Sequence, residues 1–226
     1  MRAFFAVTLG SALTFGAGLA AADEKAPSWD SVFSLSGAPK GVHLTASYLD
    51  SKGRSHSLEL WRDGDSRLRR RTDDKLDLFA EKTKGGDYTF RLVDLAAKRL
   101  FEVSRTNLAR IGVFPDFPAL AGILARPKVA HSLHRDGRPI ERTRVGDCGW
   151  VRLDVKGSGS KDICWSDRFK VPLLIKAPTT AGGPATIQFE VKQIEAKVPS
   201  AEVFKVPQRG LHVIRADQDI DPSSDL

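Results

Sequence analysis

The feature that most constrains this chain is a period of two in its apolar residues, sustained from Val42 to Val103. Val42, Leu44, Ala46 and Tyr48 alternate with His43, Thr45 and Ser47. Leu58 and Leu60 alternate with Ser57, Glu59 and Trp61, and Leu68 and Arg70 alternate with Arg67, Arg69 and Arg71. Leu76, Leu78 and Ala80 stand against Asp77, Phe79 and Glu81; Tyr88, Phe90, Leu92, Phe101 and Val103 follow. Ser51-Lys52-Gly53, Asp63-Gly64 and Lys84-Gly85-Gly86 supply the turns between these runs. Strands with one oily face and one charged face describe an antiparallel sheet that is solvated on one side.

The period then changes. Between Asn107 and Ala125, Leu108, Ile111, Phe114, Phe117, Leu120, Ile123 and Leu124 fall close to helical spacing, with Pro115 and Pro118 cutting the run into a turn and a short helix. Such an apolar insert packs across a sheet face, either as plain core or as a lid over a cavity. Strands resume at Val129–His131, Trp150–Val155, Ile163–Trp165, Val171–Ile175 and Ile187–Val191, with a Gly157-Ser158-Gly159 turn and a Pro/Gly loop from Pro178 to Pro184. There is no internal repeat and no linker, so residues 23–216 are expected to form one domain. The acidic residues 217–226 read as a flexible tail.

Residues 1–22 fit neither period. Met1-Arg2 precede an apolar run from Ala3 to Leu19, which ends in Ala20-Ala21-Ala22 and then Asp23-Glu24-Lys25. A charged start, an apolar centre and an Ala-x-Ala exit describe a secretory signal peptide cleaved after Ala22. The run is short and glycine-broken for a membrane span of about 20 residues. The hydrophobic share of 41% and charged share of 28% exclude a disordered chain, a collagen and a multi-span membrane protein. The formal net charge is +7. For an exported protein nucleic acid is not the expected partner; a soluble basic surface or transient contact with anionic lipid head groups is. The two cysteines, Cys148 and Cys164, flank the Gly157 turn and in an oxidising compartment read as a disulfide across one hairpin.

Three stretches resemble the outer-membrane lipoprotein-sorting (LolA/LolB-like) family and its periplasmic relatives. They are Leu58-Glu59-Leu60-Trp61-Arg62-Asp63-Gly64 running into Arg67-Leu68-Arg69, Cys164-Trp165-Ser166-Asp167-Arg168-Phe169 leading to Val171-Pro172-Leu173, and Val203-Phe204-Lys205-Val206-Pro207. The resemblance covers most of the chain after residue 22. It implies a mainly β fold with short helices: a curved, incomplete antiparallel barrel, or half-barrel, whose concave apolar face is covered by a helical lid. In that family the cavity takes the acyl chains of lipoproteins. The cysteine pair, the several strand arginines and the Pro-rich insert depart from the family pattern and put the ligand in question.

On alternation, the cavity wall is expected from Leu58, Leu60, Leu68, Leu78, Phe90, Leu92, Leu153, Ile187 and Phe189, and the lid from Phe114, Phe117, Leu120, Ile123 and Leu124. Arg67, Arg69 and Arg71 share one strand face at steps of about 7 Å, with Arg70 on the other. They fit either a head-group site or a solvated face balanced by Glu59, Asp77 and Glu81. Trp61, Phe79 and Trp150 fall on the nominally polar face, where they mark either a partner surface or the bed of an N-terminal segment around Trp29 and Phe33. His131 and His134 point to opposite faces of a strand, which does not suit a shared metal. Asp217, Asp219 and Asp221 resemble the start of a calcium loop, but Pro222 takes the place of its glycine. No nucleophile elbow, phosphate loop or zinc motif is present.

These residues point to a soluble, monomeric periplasmic binding or carrier protein for a hydrophobic or acylated ligand, lipid or lipoprotein, with no catalysis, cofactor or metal. The alternative is a non-enzymatic sensing or interaction module whose half-barrel is filled by its own side chains and which binds an envelope protein.

Overall fold

The computed structural model describes residues 26–104, 117–179 and 183–215. The proposed signal peptide (residues 1–22), Phe114 and the tail (residues 217–226) lie outside them. Six strands form the first meander: β1 (Gly41–Leu49), β2 (Ser55–Asp63), β3 (Arg67–Thr72), β4 (Leu76–Lys82), β5 (Tyr88–Asp94) and β6 (Arg99–Ser104). Seven more follow: β7 (His131–Arg135), β8 (Glu141–Thr143), β9 (Gly146–Val155), β10 (Gly159–Ser166), β11 (Val171–Pro178), β12 (Ala185–Glu195) and β13 (His212–Arg215). Two short helices, α1 (Trp29–Val32) and α2 (Phe117–Ala121), and a 3-10 turn at Ala201–Phe204 complete the described elements.

The strands form a 13-stranded sheet in the order β13-β6-β5-β4-β3-β2-β1-β12-β11-β10-β9-β7, with β8 paired to β9. The expected curved, incomplete antiparallel barrel with short helices is what the chain forms; the sheet does not close. β13 runs parallel to β6, the exception to the antiparallel rule. Turn chemistry explains the tight connections. Asp73 and Asp74 sit at φ +52° and +53°, left-handed positions within the three-residue connection 73–75 between β3 and β4, which the Lys75 N–H closes on the Thr72 carbonyl at 3.0 Å.

Register places Leu44, Leu60, Arg70, Leu78, Leu92 and Phe101 in one row across β1 to β6. Because opposed residues share a face, this row lies on the inner, concave side with the main core. One end of that side is filled by elements outside the meander. Phe33 meets Trp165 edge-on at 5.0 Å, and Phe117 of α2 stacks on Tyr88 at 4.6 Å. Arg62 is 0% exposed within this core. Its Nη1 donates to the Ala121 carbonyl at 3.0 Å and its Nη2 to the Phe169 carbonyl at 2.9 Å. It ties both covering elements to the sheet. Burial pushes its pKa down to about 10, so it stays charged at neutral pH.

The convex side has its own cover. After β12 the chain passes directly over the start of β1, where a Cβ on Gly41 would lie 2.3 Å from the Val198 backbone. The strap then crosses β3. The Val203 carbonyl accepts from Arg69 Nη1 at 3.1 Å, and the Arg67 guanidinium sits 4.8 Å above the Phe204 ring. Val206 and Leu211 pack on a small second core of Phe79, Val93 and Leu100 before β13 joins β6.

Several expectations change. Trp61 and Phe79 do not lie beneath the N-terminal segment: Trp29 and Phe33 pack on the concave side near Trp165 and His131, and it is the C-terminal strap that reaches the Phe79 bed. The insert yields a described helix of one turn and a half, ending before Gly122. A Cβ at Gly122 would approach the Pro118 carbonyl to 3.1 Å. The strand read at Val129–His131 starts at His131, and β8 and β13 are too short to show a period.

The Cys148–Cys164 disulfide is formed and joins β9 to β10 with a sequence separation of 16. A closed loop of that size stabilises by about 3 kcal/mol. Reduction should therefore lower the unfolding free energy, read from urea midpoints, by about that amount. Gly41→Ala should cost about 1–3 kcal/mol or more by overpacking against backbone. Its signature is loss of amide protection at His212, whose N–H bonds the Lys98 carbonyl at 2.8 Å. Unchanged protection there would show that the strap does not depend on the close crossing.

Candidate functional site

The concave face is filled at one end and open at the other. The open end is a cleft of about 930 Å³, at the upper end of the roughly 300–1,000 Å³ usual for small-molecule sites. Its floor is apolar, built from Leu58, Leu153, Ile175, Phe189 and Ala177, with Tyr48 beside them. One wall is the segment Ile123–Ala125 and Pro127 that follows α2. The rim comes from hairpin ends: Leu49–Gly53 after β1, Ser158 between β9 and β10, and Pro178-Thr179 at the end of β11. Three cationic side chains line it, Lys52, Arg70 and Lys161, against one carboxylate, Asp50.

Asp50 is committed to its own turn. It accepts the backbone N–H groups of Lys52 and Arg54, each at 2.9 Å, and the Arg54 Nε at 2.7 Å. Those bonds hold its carboxyl well below the usual carboxylate range. His56 links Asp50 to the next hairpin: its Nδ1 bonds Asp73 Oδ2 at 2.5 Å and its Nε2 faces Asp50 Oδ2 at 3.3 Å. The bonds to Asp73 and then Asp50 raise the imidazole pKa above 6.5, against the opposing effect of burial.

The expected wall residues separate into three groups. Leu58, Leu153 and Phe189 line the cleft, together with Ile123 and Leu124 of the expected lid. Leu60, Leu68 and Phe90 are packed away in the core, as is Phe117, while Leu120 is half-buried against it. Leu78 is half-buried, and Leu92 and Ile187 are 37% and 47% exposed. Tyr48, Ile175 and Arg70 join the cleft without having been singled out as ligand contacts; Tyr48 and Ile175 carry the same alternation signal as their neighbours.

The residues read as a head-group or partner surface lie on the convex side and are engaged within the protein. Arg67 pairs with Asp63 at 2.5 Å. Arg69 Nη2 and Arg71 Nε bond the two oxygens of Asp77, at 2.7 and 2.8 Å. Asp77 is 0% exposed. Burial would push its carboxyl up, but the hydrogen bonds from Arg71 and Arg69 outweigh this and hold it below its ordinary value. Trp61 stacks on His43 at 5.3 Å and lies under the Arg69 guanidinium at 4.9 Å. Trp150 is buried beneath Arg138 and Lys176, at 4.3 and 5.1 Å.

Elsewhere, Ser132 and Asp154 both approach His134 at the same nitrogen, Nε2, at 3.1 and 3.4 Å. A nucleophile–base–orienter chain needs the two on opposite ring nitrogens, so this cluster does not have that geometry.

Because its folded pKa is raised, His56 contributes stability that is complete below about pH 6.5 and is lost as pH rises through the folded value. Protection factors of the Lys52 and Arg54 amides, corrected for the intrinsic rise of exchange with pH, should fall above that point, and His56→Gln should remove that fall. An imidazole titrating at or below 6.5 by NMR would contradict the clamp.

No protein-family model matches the chain, and no curated protein matches it. Among solved structures it is similar to the crystal structure of MucB, with a TM-score of 0.45 and 14% sequence identity over 80% of this chain and 62% of that one. It is also similar to an uncharacterized conserved protein from Thermus thermophilus, with a TM-score of 0.42 and 11% identity over 81% of this chain and 94% of that one. The chain thus spans 62% of MucB's length.

Proposed function

We propose that this chain is a non-enzymatic periplasmic binding or carrier protein that holds a hydrophobic or acylated ligand in the concave cleft. The observation that carries this reading is the apolar floor of Leu58, Leu153, Ile175 and Phe189 left open inside a sheet whose other end is filled. The motif resemblance to the lipoprotein-sorting family agrees with it. Export is supported by the disulfide, cleavage after Ala22 rests on the Ala20-Ala21-Ala22 exit of the apolar run, and no helix among the described residues is long and apolar enough to cross a membrane. The partners proposed are lipid or lipoprotein chains, delivered by transient contact at a membrane surface to a monomer.

Affinity comes from chain burial, at roughly 0.8 kcal/mol per methylene. Gating belongs to the segment Ile123–Pro127, because α2 itself is anchored: Phe117 and Ala121 are buried and Arg62 holds the Ala121 carbonyl. Packing of Phe33, Phe117 and Trp165 into the far end favours the second reading, a partly self-filled module that binds an envelope protein.

Titration with straight-chain alcohols separates the two. A carrier cleft should tighten by about fourfold for each methylene added from octanol to decanol, and Leu124→Glu at the half-buried wall should abolish uptake. Absence of binding, or affinity that does not change with chain length in a folded protein, would overturn the carrier reading in favour of the module.

A further inference from the structure

Four arginines lie on β3, and one of them differs from the rest. Arg67, Arg69 and Arg71 face outward and are matched by Asp63 and Asp77. Arg70 faces inward, opposed by Leu60 on β2 and Leu78 on β4. A guanidinium between two leucines gains nothing from its cross-strand neighbours. Among the described residues no carboxylate lies within ion-pair distance of it, and its polar neighbour is the Tyr48 hydroxyl.

Arg70 also differs from the other inward arginine. Arg62 is enclosed, with two of its nitrogens bonded to carbonyls of the covering elements. Arg70 is half-buried and lines the cleft, in the same wall as Leu58 and Phe189. An arginine is charged at any physiological pH and offers a planar fork of donors that suits a carboxylate. Burial lowers its pKa somewhat, and Tyr48 counters the shift. The one carboxylate of the lining, Asp50, is bonded to its own turn and to His56.

We infer that the cleft selects an amphiphile with a carboxylate head, a long-chain carboxylic acid whose anion is held by the Arg70 guanidinium and the Tyr48 hydroxyl while its chain lies on Leu58, Leu153, Ile175 and Phe189. This rests on the carrier reading and adds the head group to it. One planar cation with one hydroxyl beside it matches a planar monoanion with two oxygens. A phosphate dianion would need a second buried cation, and Lys52 and Lys161 are exposed at the mouth.

The test compares decanoate with decanol on the full-length protein after signal removal, by calorimetry at neutral pH. The expected result is that decanoate binds about 10- to 100-fold tighter than decanol, the range of a charge-assisted hydrogen bond. Arg70→Met should bring the decanoate-to-decanol affinity ratio down to about one, with the fold of the variant verified independently by its circular dichroism and urea midpoint. Arg70→Lys, which keeps the charge and loses the fork, should retain part of the preference.

Equal affinity of the parent protein for decanoate and decanol, with the chain-length dependence intact, overturns the carboxylate inference and leaves the carrier reading standing. Arg70-dependent binding of decyl phosphate, with decanoate no better than decanol, overturns the assignment in favour of a phosphate head. Failure of both decanoate and decanol to bind overturns the carrier reading and this inference together.

Discussion

The arrangement of the concave side depends on one buried guanidinium. Arg62 has no exposed surface, and its two bonded carbonyls come from different elements: the end of α2 and the turn after β10. Burying a charge is costly unless it is hydrogen-bonded, and the two carbonyls offset that cost for the Nη1 and Nη2 ends, while the Nε is left without a partner among the described residues. The two covering elements are therefore held in fixed positions over β2. That constraint decides which end of the half-barrel is filled by Phe33, Phe117, Phe169 and Trp165 and which end remains a cleft. The wall that faces the cleft, Ile123–Pro127, begins just beyond the anchored carbonyl.

The convex side solves the complementary problem. A sheet strand with alternating arginines would normally face water, but here Arg67 and Arg69 receive the strap through Phe204 and the Val203 carbonyl. Asp77, between Arg69 and Arg71, bonds both guanidiniums without exposing itself. The strap thereby covers Phe79, Val93 and Leu100, which would otherwise be an apolar patch on the outer surface.

Alternation alone sorts the faces of β1 to β6 correctly, because one side is buried and a slip by one residue would expose all of it. The same logic leads to the disulfide, since Cys148 and Cys164 straddle a glycine turn. It does not separate Leu58, which lines the cleft, from Leu60 and Leu68, which are packed away. That difference depends on where α2 and the turn at Phe169 come to rest, a long-range fact set by Arg62. It also sends the search for a charged site to Arg67, Arg69 and Arg71, whose spacing is conspicuous. Arg70 is distinguished only once its three neighbours are seen to be matched by Asp63 and Asp77. The strap is marked in the sequence by the Val203–Pro207 resemblance alone, and its path is not legible there: Val203 to Leu211 shows no period, since it lies across the strands and joins the sheet only at β13.

The strand order carries a consequence for how the chain reaches this structure. The meander β1–β6 occupies the first half of the fold, yet its two outer strands find their partners late: β1 in β12 and β6 in β13. A chain emerging N-terminus first from a ribosome or a membrane pore therefore presents two unpaired β edges until residues 185–215 arrive. Long-range pairing of this kind slows folding and leaves those edges open to other chains in the meantime. Under the export proposed for this chain, the same dependence keeps residues 41–104 from completing their native pairing on the near side of the pore while residues 185–215 are still to be made, and so keeps them threadable.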